Sequence, residues 1–427
     1  MGSGVSLGQV AFGPFCLDMG SARLFRDGGE VELRPQAFQA LCVLLQNGGR
    51  PVDYQQMIRE AWNGVVVSRH TVAVTVGEVK KALREYGSWI TCRPGLGYRL
   101  EVPKCDALIR KGWHFMSHRT RESLERAVAC FQEAAHGDAA DFRAFEGLSR
   151  SHLIMGTTGM RQPHQAYSAF MDAHRQAVAM TGLTAELRSD RGYGLHMFER
   201  RLAEAESELL RARSEEPALA SVCVRLSMLY VALGRFDDAL DAVRDGYAAD
   251  PLWPVLPSAE LMVRFCRREF DQAVACGQKA QELHPHVQLS HVFYAEALQY
   301  AGRVDEALSQ YRIACVICPD LPWLRALEAT CLARSGRRRS ALALAAQLEQ
   351  SRPVAYVDAY YMALLREALG DRDTAFQELD RACQEGSVAL SILDVDPKMD
   401  ALRGDARFGR FREFAAPQIG RGSGQAA

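Results

Sequence analysis

Beyond about residue 104, apolar residues recur every three or four positions in helix-length segments, the spacing of amphipathic helices. Small residues mark these segments at a fixed interval. Alanine stands at 205, 239, 273, 307, 341 and 375, and proline at 217, 251, 285, 319 and 353, each step being 34 residues. Glycine keeps the same phase at 234, 302, 336 and 370, with Arg200 and Arg268 in its two gaps. The predicted unit is a pair of helices. Glycine takes the left-handed conformation that ends the first, alanine lets the second approach closely, and proline stops the second. One pair cannot bury its apolar face alone, so neighbours stack into a solenoid.

The pattern is strongest over residues 190–385. Gly112–Asp138, with Ala127, reads as a further unit. Residues 140–182, with Ala166, read as another that is five residues out of phase. Asp394–Phe411 reads as a capping helix, and the tail GRGSGQAA as disordered.

The first hundred residues do not repeat. AFGPFCLD, ARLFRD and EVEL are short alternating runs between turn residues, predicting a small antiparallel sheet. Pro35–Gly49, Tyr54–Trp62 and Ser68–Gly87 read as three short helices, and Trp89–Val102 as a hairpin across Pro94-Gly95-Leu96-Gly97. In the third helix Val72, Val76, Val79 and Leu83 share one face, which should be core. Thr71, Val74, Thr75, Glu78 and Lys81 lie on another, expected to be exposed.

Composition narrows the class. The chain has 427 residues, more than one ordinary domain, with 48% hydrophobic and 24% charged residues, which excludes a largely disordered chain. Net charge is −1, so a nucleic-acid site has to be local. Between Val67 and Leu100 the basic residues Arg69, Lys80, Lys81, Arg84, Arg93 and Arg99 face only Glu78 and Glu85, a balance of +4. No apolar run is long enough for a transmembrane helix, and MGSGVSLGQV lacks the features of a secretory signal. The twelve cysteines, scattered through apolar patterns, read as reduced core residues of a cytoplasmic protein. Cys315 and Cys318 form a lone CxxC, and His284, His286 and His291 surround a repeat boundary. Neither set makes a metal site, and no phosphate loop or nucleophile elbow appears. We therefore expect no enzyme, no cofactor and no metal.

Three helices followed by a hairpin is the layout of a winged helix. Leu33-Arg34-Pro35-Gln36-Ala37-Phe38, Met57-Ile58-Arg59-Glu60-Ala61-Trp62, Val79-Lys80-Lys81-Ala82-Leu83 and Gly95-Leu96-Gly97-Tyr98-Arg99-Leu100 stand in the order of the OmpR/PhoB-type winged-helix DNA-binding domain, which residues 10–103 resemble. That resemblance implies binding of double-stranded promoter DNA through Arg69, His70, Thr71, Val74, Thr75, Glu78, Lys80, Lys81, Arg84, Arg93 and Arg99. The third helix would enter the major groove and the hairpin would reach toward the minor groove. It also implies that Asn63, Gly64, Val65, Val66, Val67 and Ser68 contact RNA polymerase. Gly77-Glu78 departs from the two arginines of many relatives. About nine residues precede the domain, so phosphotransfer from a histidine kinase is not expected.

The repeats resemble tetratricopeptide (TPR) repeats, whose first helices line a concave surface. The matching positions include Val224, Met228, Met262, Phe265, Gln299, Tyr300, Trp323, Tyr360 and Leu364. They make a largely apolar groove for a peptide, a second subunit or a small molecule. Alternatively, superhelix closure or the winged domain covers them. The expected fold is an α+β winged helix-turn-helix followed by an all-α TPR superhelix. Residues 1–9 form a disordered N-terminus, 10–103 the winged domain, 105–393 the solenoid, 394–415 a cap and 416–427 a disordered tail. The fusion resembles HilA-like activators and CadC-like regulators without the membrane helix. It implies a cytoplasmic transcriptional regulator, an activator and a possible homodimer. The alternative is a TPR scaffold whose winged domain contacts proteins.

Overall fold

The computed structural model describes residues 9–12, 15–26, 29–93, 95–101, 104–135, 141–285 and 287–415. The expectations for residues 1–8 and 416–427, and those for Pro94 and His286, lie outside the described residues. Two compact units form, Met1–Ser117 with Ala129–Ala144, and His118–Val128 with Phe145–Ala427.

In the first unit, strands β1 (Gln9–Phe12), β2 (Phe15–Asp18), β3 (Arg23–Arg26) and β4 (Gly29–Val31) form an antiparallel meander in that order. Gln9, expected in the disordered N-terminus, instead pairs with Asp18 as the first residue of β1. Helices α1 (Pro35–Gln46), α2 (Tyr54–Ala61) and α3 (Arg69–Ala82) follow, then the hairpin β5 (Ile90–Arg93) and β6 (Gly97–Leu100). Pro35 opens α1, and the Asp53 carboxylate accepts the Gln56 N–H at 2.7 Å to cap α2. The core joins Leu17 and Leu24 of the sheet to Leu41, Met57, Val72, Val76, Val79 and Leu83 of the helices.

One seam explains the GLGY motif. The Val52 N–H donates to the Tyr98 carbonyl at 2.7 Å and the Tyr98 N–H to the Val52 carbonyl at 2.9 Å, so the link between α1 and α2 pairs with β6. Gly97 has φ +96°, and a Cβ there would stand 2.0 Å from the Val52 carbonyl oxygen. Only glycine admits both.

Helices α4 (Lys104–Ser117), α5 (Arg121–Ala135) and α6 (Phe142–Thr157) come next. The remaining helices of the second unit are α7 (Pro163–Thr181), α8 (Ala185–Gly194), α9 (Leu202–Glu215), α10 (Ala220–Ala232) and α11 (Phe236–Ala249). They continue with α12 (Leu256–Cys266), α13 (Phe270–Leu283), α14 (Gln288–Tyr300), α15 (Val304–Ile317), α16 (Pro322–Arg334), α17 (Arg338–Ser351), α18 (Ala359–Ala368) and α19 (Arg372–Glu385). The helices α9, α11, α13, α15, α17 and α19 begin at intervals of 34 residues. The alanine of each is fully buried. Gly234, Gly302, Gly336 and Gly370 have φ between 70° and 82°, and Arg268 and Arg200 take the same left-handed conformation at 67° and 55°. The five-residue offset at Ala166 is the length of α7, which has 19 residues against 14 in α9.

After α19 the chain does not form the expected single capping helix. Pro397 and Gly404 break it into short helical turns, capped by Asp396 on the Lys398 N–H and Asp405 on the Arg407 N–H. These turns fasten to successive repeats. Arg268 pairs with Asp400 at 2.8 Å, Arg334 donates to the Lys398 carbonyl at 3.1 Å, and Arg407 pairs with Asp373 at 2.8 Å.

The early repeats bury polar groups. Asp190 is wholly buried between Arg150 and Arg225. Burial alone would raise its pKa, but the two guanidiniums outweigh that and hold it low. His196 is 1% exposed, its ring nitrogens have no hydrogen-bond partner among the described residues, and burial pushes its pKa down to about 4. The unfolded ring, with the usual value of 6.5, takes a proton that the folded ring refuses. Its contribution is therefore whole above pH 6.5 and lost as pH falls to about 4. Burial pushes the Glu146 and Asp358 carboxyls up, the opposite sense, so a variant difference is needed to isolate the ring. We predict that His196→Leu, followed by urea unfolding, gains on the parent by about 1.4 kcal/mol for each pH unit of acidification across that window.

Candidate nucleic-acid interface

Helix α3 begins where the Ser68 hydroxyl accepts the Thr71 N–H at 3.1 Å. Its buried side is Val72, Val76 and Val79, continued by Leu83. Arg69, His70, Thr71, Val74 and Lys81 are exposed, and Arg84 follows just past the helix end. Val74 leaves 45% of its surface in solvent, an aliphatic spot among polar neighbours. The expectation that Thr75 joins them is corrected. Thr75 is 5% exposed and its hydroxyl donates to the Thr71 carbonyl at 3.0 Å, because the helix turn places it on the core flank.

Glu78 lies across from Arg34, the residue before Pro35. The Arg34 Nε donates to Glu78 Oε2 at 3.0 Å, and an Nη2 contact to Oε1 completes a fork. The bond with Arg34 holds the Glu78 carboxyl below the usual range and raises the guanidinium in turn. Periodicity places Glu78 on the groove side of α3 and gives no sign of this partner. The LRP motif carried it, but nothing in residue spacing joins positions 34 and 78. Arg69 lies over the Tyr54 ring at 5.5 Å.

In the hairpin, Arg93 is exposed at the end of β5, whereas Arg99 pairs with Glu101 at 2.7 Å. Lys80 is half-buried. The loop from Asn63 to Ser68 turns at Asn63 (φ 50°) and Gly64 (φ 81°). Val65 and Val66 stand in solvent, Val66 at 91% exposure, while Val67 is held where the Tyr54 hydroxyl donates to its carbonyl.

The repeats do not present the expected open groove. Met262, Phe265, Trp323, Tyr360 and Leu364 are buried, and Val224, Met228, Gln299 and Tyr300 are half-buried. Their partners belong to the same unit. The Tyr360 hydroxyl donates to Asp396 Oδ2 at 2.7 Å. Lys398 Nζ sits 5.1 Å from the centre of the Phe265 ring and 2.8 Å from Glu296 Oε1. Tyr300 stacks edge-on against Phe265 and accepts from Arg334 at 3.0 Å. The Trp323 indole N–H donates to the Thr158 carbonyl at 2.9 Å. Of the two alternatives for these positions, closure within the repeat unit is what the structure contains.

Burial pushes the Cys315 and Cys318 thiols up to about 11, away from the reactive thiolate. His291 is engaged by Gln281, Gln310 and the Pro285 carbonyl. Among the described residues no cluster of three metal-ligating side chains occurs, and no helix is long and apolar enough to cross a membrane.

A winged helix with a polar, basic recognition helix, followed by stacked helix pairs, is the class of protein these elements define. Residues 28–100 match the family described as "Transcriptional regulatory protein, C terminal". The chain is similar to the transcriptional regulatory protein CutR of Streptomyces coelicolor, with 36% identity over 85 residues, covering 20% of this chain and 39% of that one. It is also similar to the transcriptional activator CadC of Escherichia coli, with 26% identity over 85 residues, covering 19% and 17%. The likeness thus spans well under half of either relative. The structure of the human IFIT1 dimer with m7Gppp-AAAA aligns with a TM-score of 0.50 at 14% identity, over 83% of this chain and 96% of that one, which shows a shared fold and nothing more. The chain joins an OmpR/PhoB-type winged-helix DNA-binding domain to a TPR-type helical solenoid.

The Arg34 fork makes a direct prediction. Arg34→Ala shifts the Glu78 carboxyl titration upward toward the ordinary range, as followed by carboxyl chemical shifts; an unmoved titration contradicts the pairing.

Proposed function

We propose that the chain is a cytoplasmic transcriptional regulator that reads double-stranded promoter DNA through α3 and acts as an activator. The exposed face of α3 carries this reading. Thr71 and Val74 offer a hydroxyl and an aliphatic contact for base edges, with Arg69, Lys81 and Arg84 beside them for phosphates. The domain boundary at residue 103, binding as a homodimer on direct repeats, and contact of Val65 and Val66 with RNA polymerase belong to the same proposal. The CutR and CadC likenesses support regulation, and the exposed valines support a polymerase contact separate from the DNA face. Glu78 serves here as the anchor of Arg34 rather than as a base contact. Its charge is kept from the phosphates by that fork.

Selection of random duplex DNA on the full-length protein returns one motif under this proposal. Affinity for that motif falls by orders of magnitude between about 50 and 200 mM salt. Lys81→Ala lowers the salt slope by about 1. Arg34→Ala weakens binding by exposing Glu78, and Glu78→Gln in the same chain restores it. Val66→Asp leaves DNA affinity intact and lowers transcription from a reconstituted promoter. No enriched motif, with salt-insensitive retention of protein partners, would establish the scaffold alternative instead.

A further inference from the structure

The solenoid unit contains a cavity of about 890 Å³ where its early and late repeats meet. Residues from α5 and the loop before α7 form one side, and residues of α16, α17, the link to α18 and α19 form the other. The two sides are tied by the Arg121 guanidinium donating to the Asp320 carbonyl at 3.3 Å and by the Trp323–Thr158 bond. The size falls in the range of small-molecule sites.

Its lining is rich in arginine. Five arginines, Arg121, Arg161, Arg325, Arg352 and Arg381, face three carboxylates, Glu125, Asp320 and Glu385, an excess of two positive charges. Many arginines elsewhere on the repeats pair with carboxylates, as Arg235 does with Glu206 and Asp238, and Arg303 with Glu306. Around the cavity, Arg121, Arg161 and Arg325 form no ion pair with a carboxylate among the described residues. Arg352, only 10% exposed, is held by Glu378 at 2.6 Å and Glu349 at 2.7 Å, and Arg381 by Glu385 at 2.6 Å, so the uncompensated charge of the lining belongs to Arg121, Arg161 and Arg325. The floor is apolar, from Met160, Leu348 and Val357, all buried.

We propose that this cavity binds a small polyanion, a phosphate- or carboxylate-bearing metabolite whose charged end meets Arg121, Arg161 and Arg325 and whose apolar part rests on Met160 and Leu348. Planar guanidiniums suit both oxyanions, since each binds them in a two-toothed fork. Such a ligand bridges early and late repeats, so the cavity is an effector site distinct from the concave positions and from α3.

The test is calorimetric titration of the full-length protein with ADP, pyrophosphate and citrate, with no DNA present. Its failure would leave the DNA-binding proposal untouched. Saturable one-to-one binding of at least one probe is expected, ADP or pyrophosphate marking a phosphate ligand and citrate a carboxylate one. Arg161→Glu with Arg325→Glu should weaken it by about tenfold or more for each residue. Arg244→Glu, on the exposed side of α11, should leave it unchanged, and thermal melting confirms that both variants fold. Absence of saturable binding with all three probes, or equal binding by the doubly reversed variant, overturns the proposal.

Discussion

The ammonium of Lys398 is buried between the Glu296 carboxylate, 2.8 Å away, and that of Asp396, 3.2 Å away. Burial alone would lower its pKa, but the two carboxylates outweigh it and hold the group charged. Glu296 is pushed the other way, its burial raising its pKa against the pull of Lys398. Desolvating three charges is costly, and removing one partner from such a group typically costs about 3–5 kcal/mol, because the remaining charges are left buried and uncompensated. The cluster therefore dictates where the chain beyond α19 runs. With Lys398 over Phe265 and Asp396 on the Tyr360 hydroxyl, that segment fills the face that the first helices of the repeats would otherwise leave open.

The winged domain is organised by a different constraint, the approach of backbone to backbone. Gly97 lets β6 pair with Val52, and this fixes the hairpin against the turn between α1 and α2. The Arg34–Glu78 fork then ties the start of α1 to the middle of α3. The result is a recognition helix with one side locked in the core and an exposed side of hydroxyl, aliphatic and basic groups. The Val65-Val66 loop leads into the Ser68 cap of that helix and is fastened at Val67 by the Tyr54 hydroxyl.

Much of this was legible in the sequence because local rules carry it. The 34-residue columns appear as helix starts, buried alanines and left-handed glycines, even where Arg200 and Arg268 replace glycine. The apolar face of α3 was readable from periodicity alone. Three features were not. Thr75 sits at the boundary of two faces, where periodicity does not separate a core flank from an exposed one. Glu78 depends on a residue 44 positions away. The concave residues match the repeat pattern whether or not something covers them, and the segment that covers them has no period of its own. Its turns are set by Pro397, Gly404 and aspartate caps, which predict breaks but not a destination.

The repeat unit is sealed by the segment beyond α19 through Lys398. Amide hydrogen exchange on the full-length protein and on Lys398→Met measures this most directly. The substitution should strip protection from α12, α14 and α18 together while leaving α3 as it was. Unchanged protection across those three helices would mean that the ion cluster does not hold the segment in place, and that the concave face is open to partners after all.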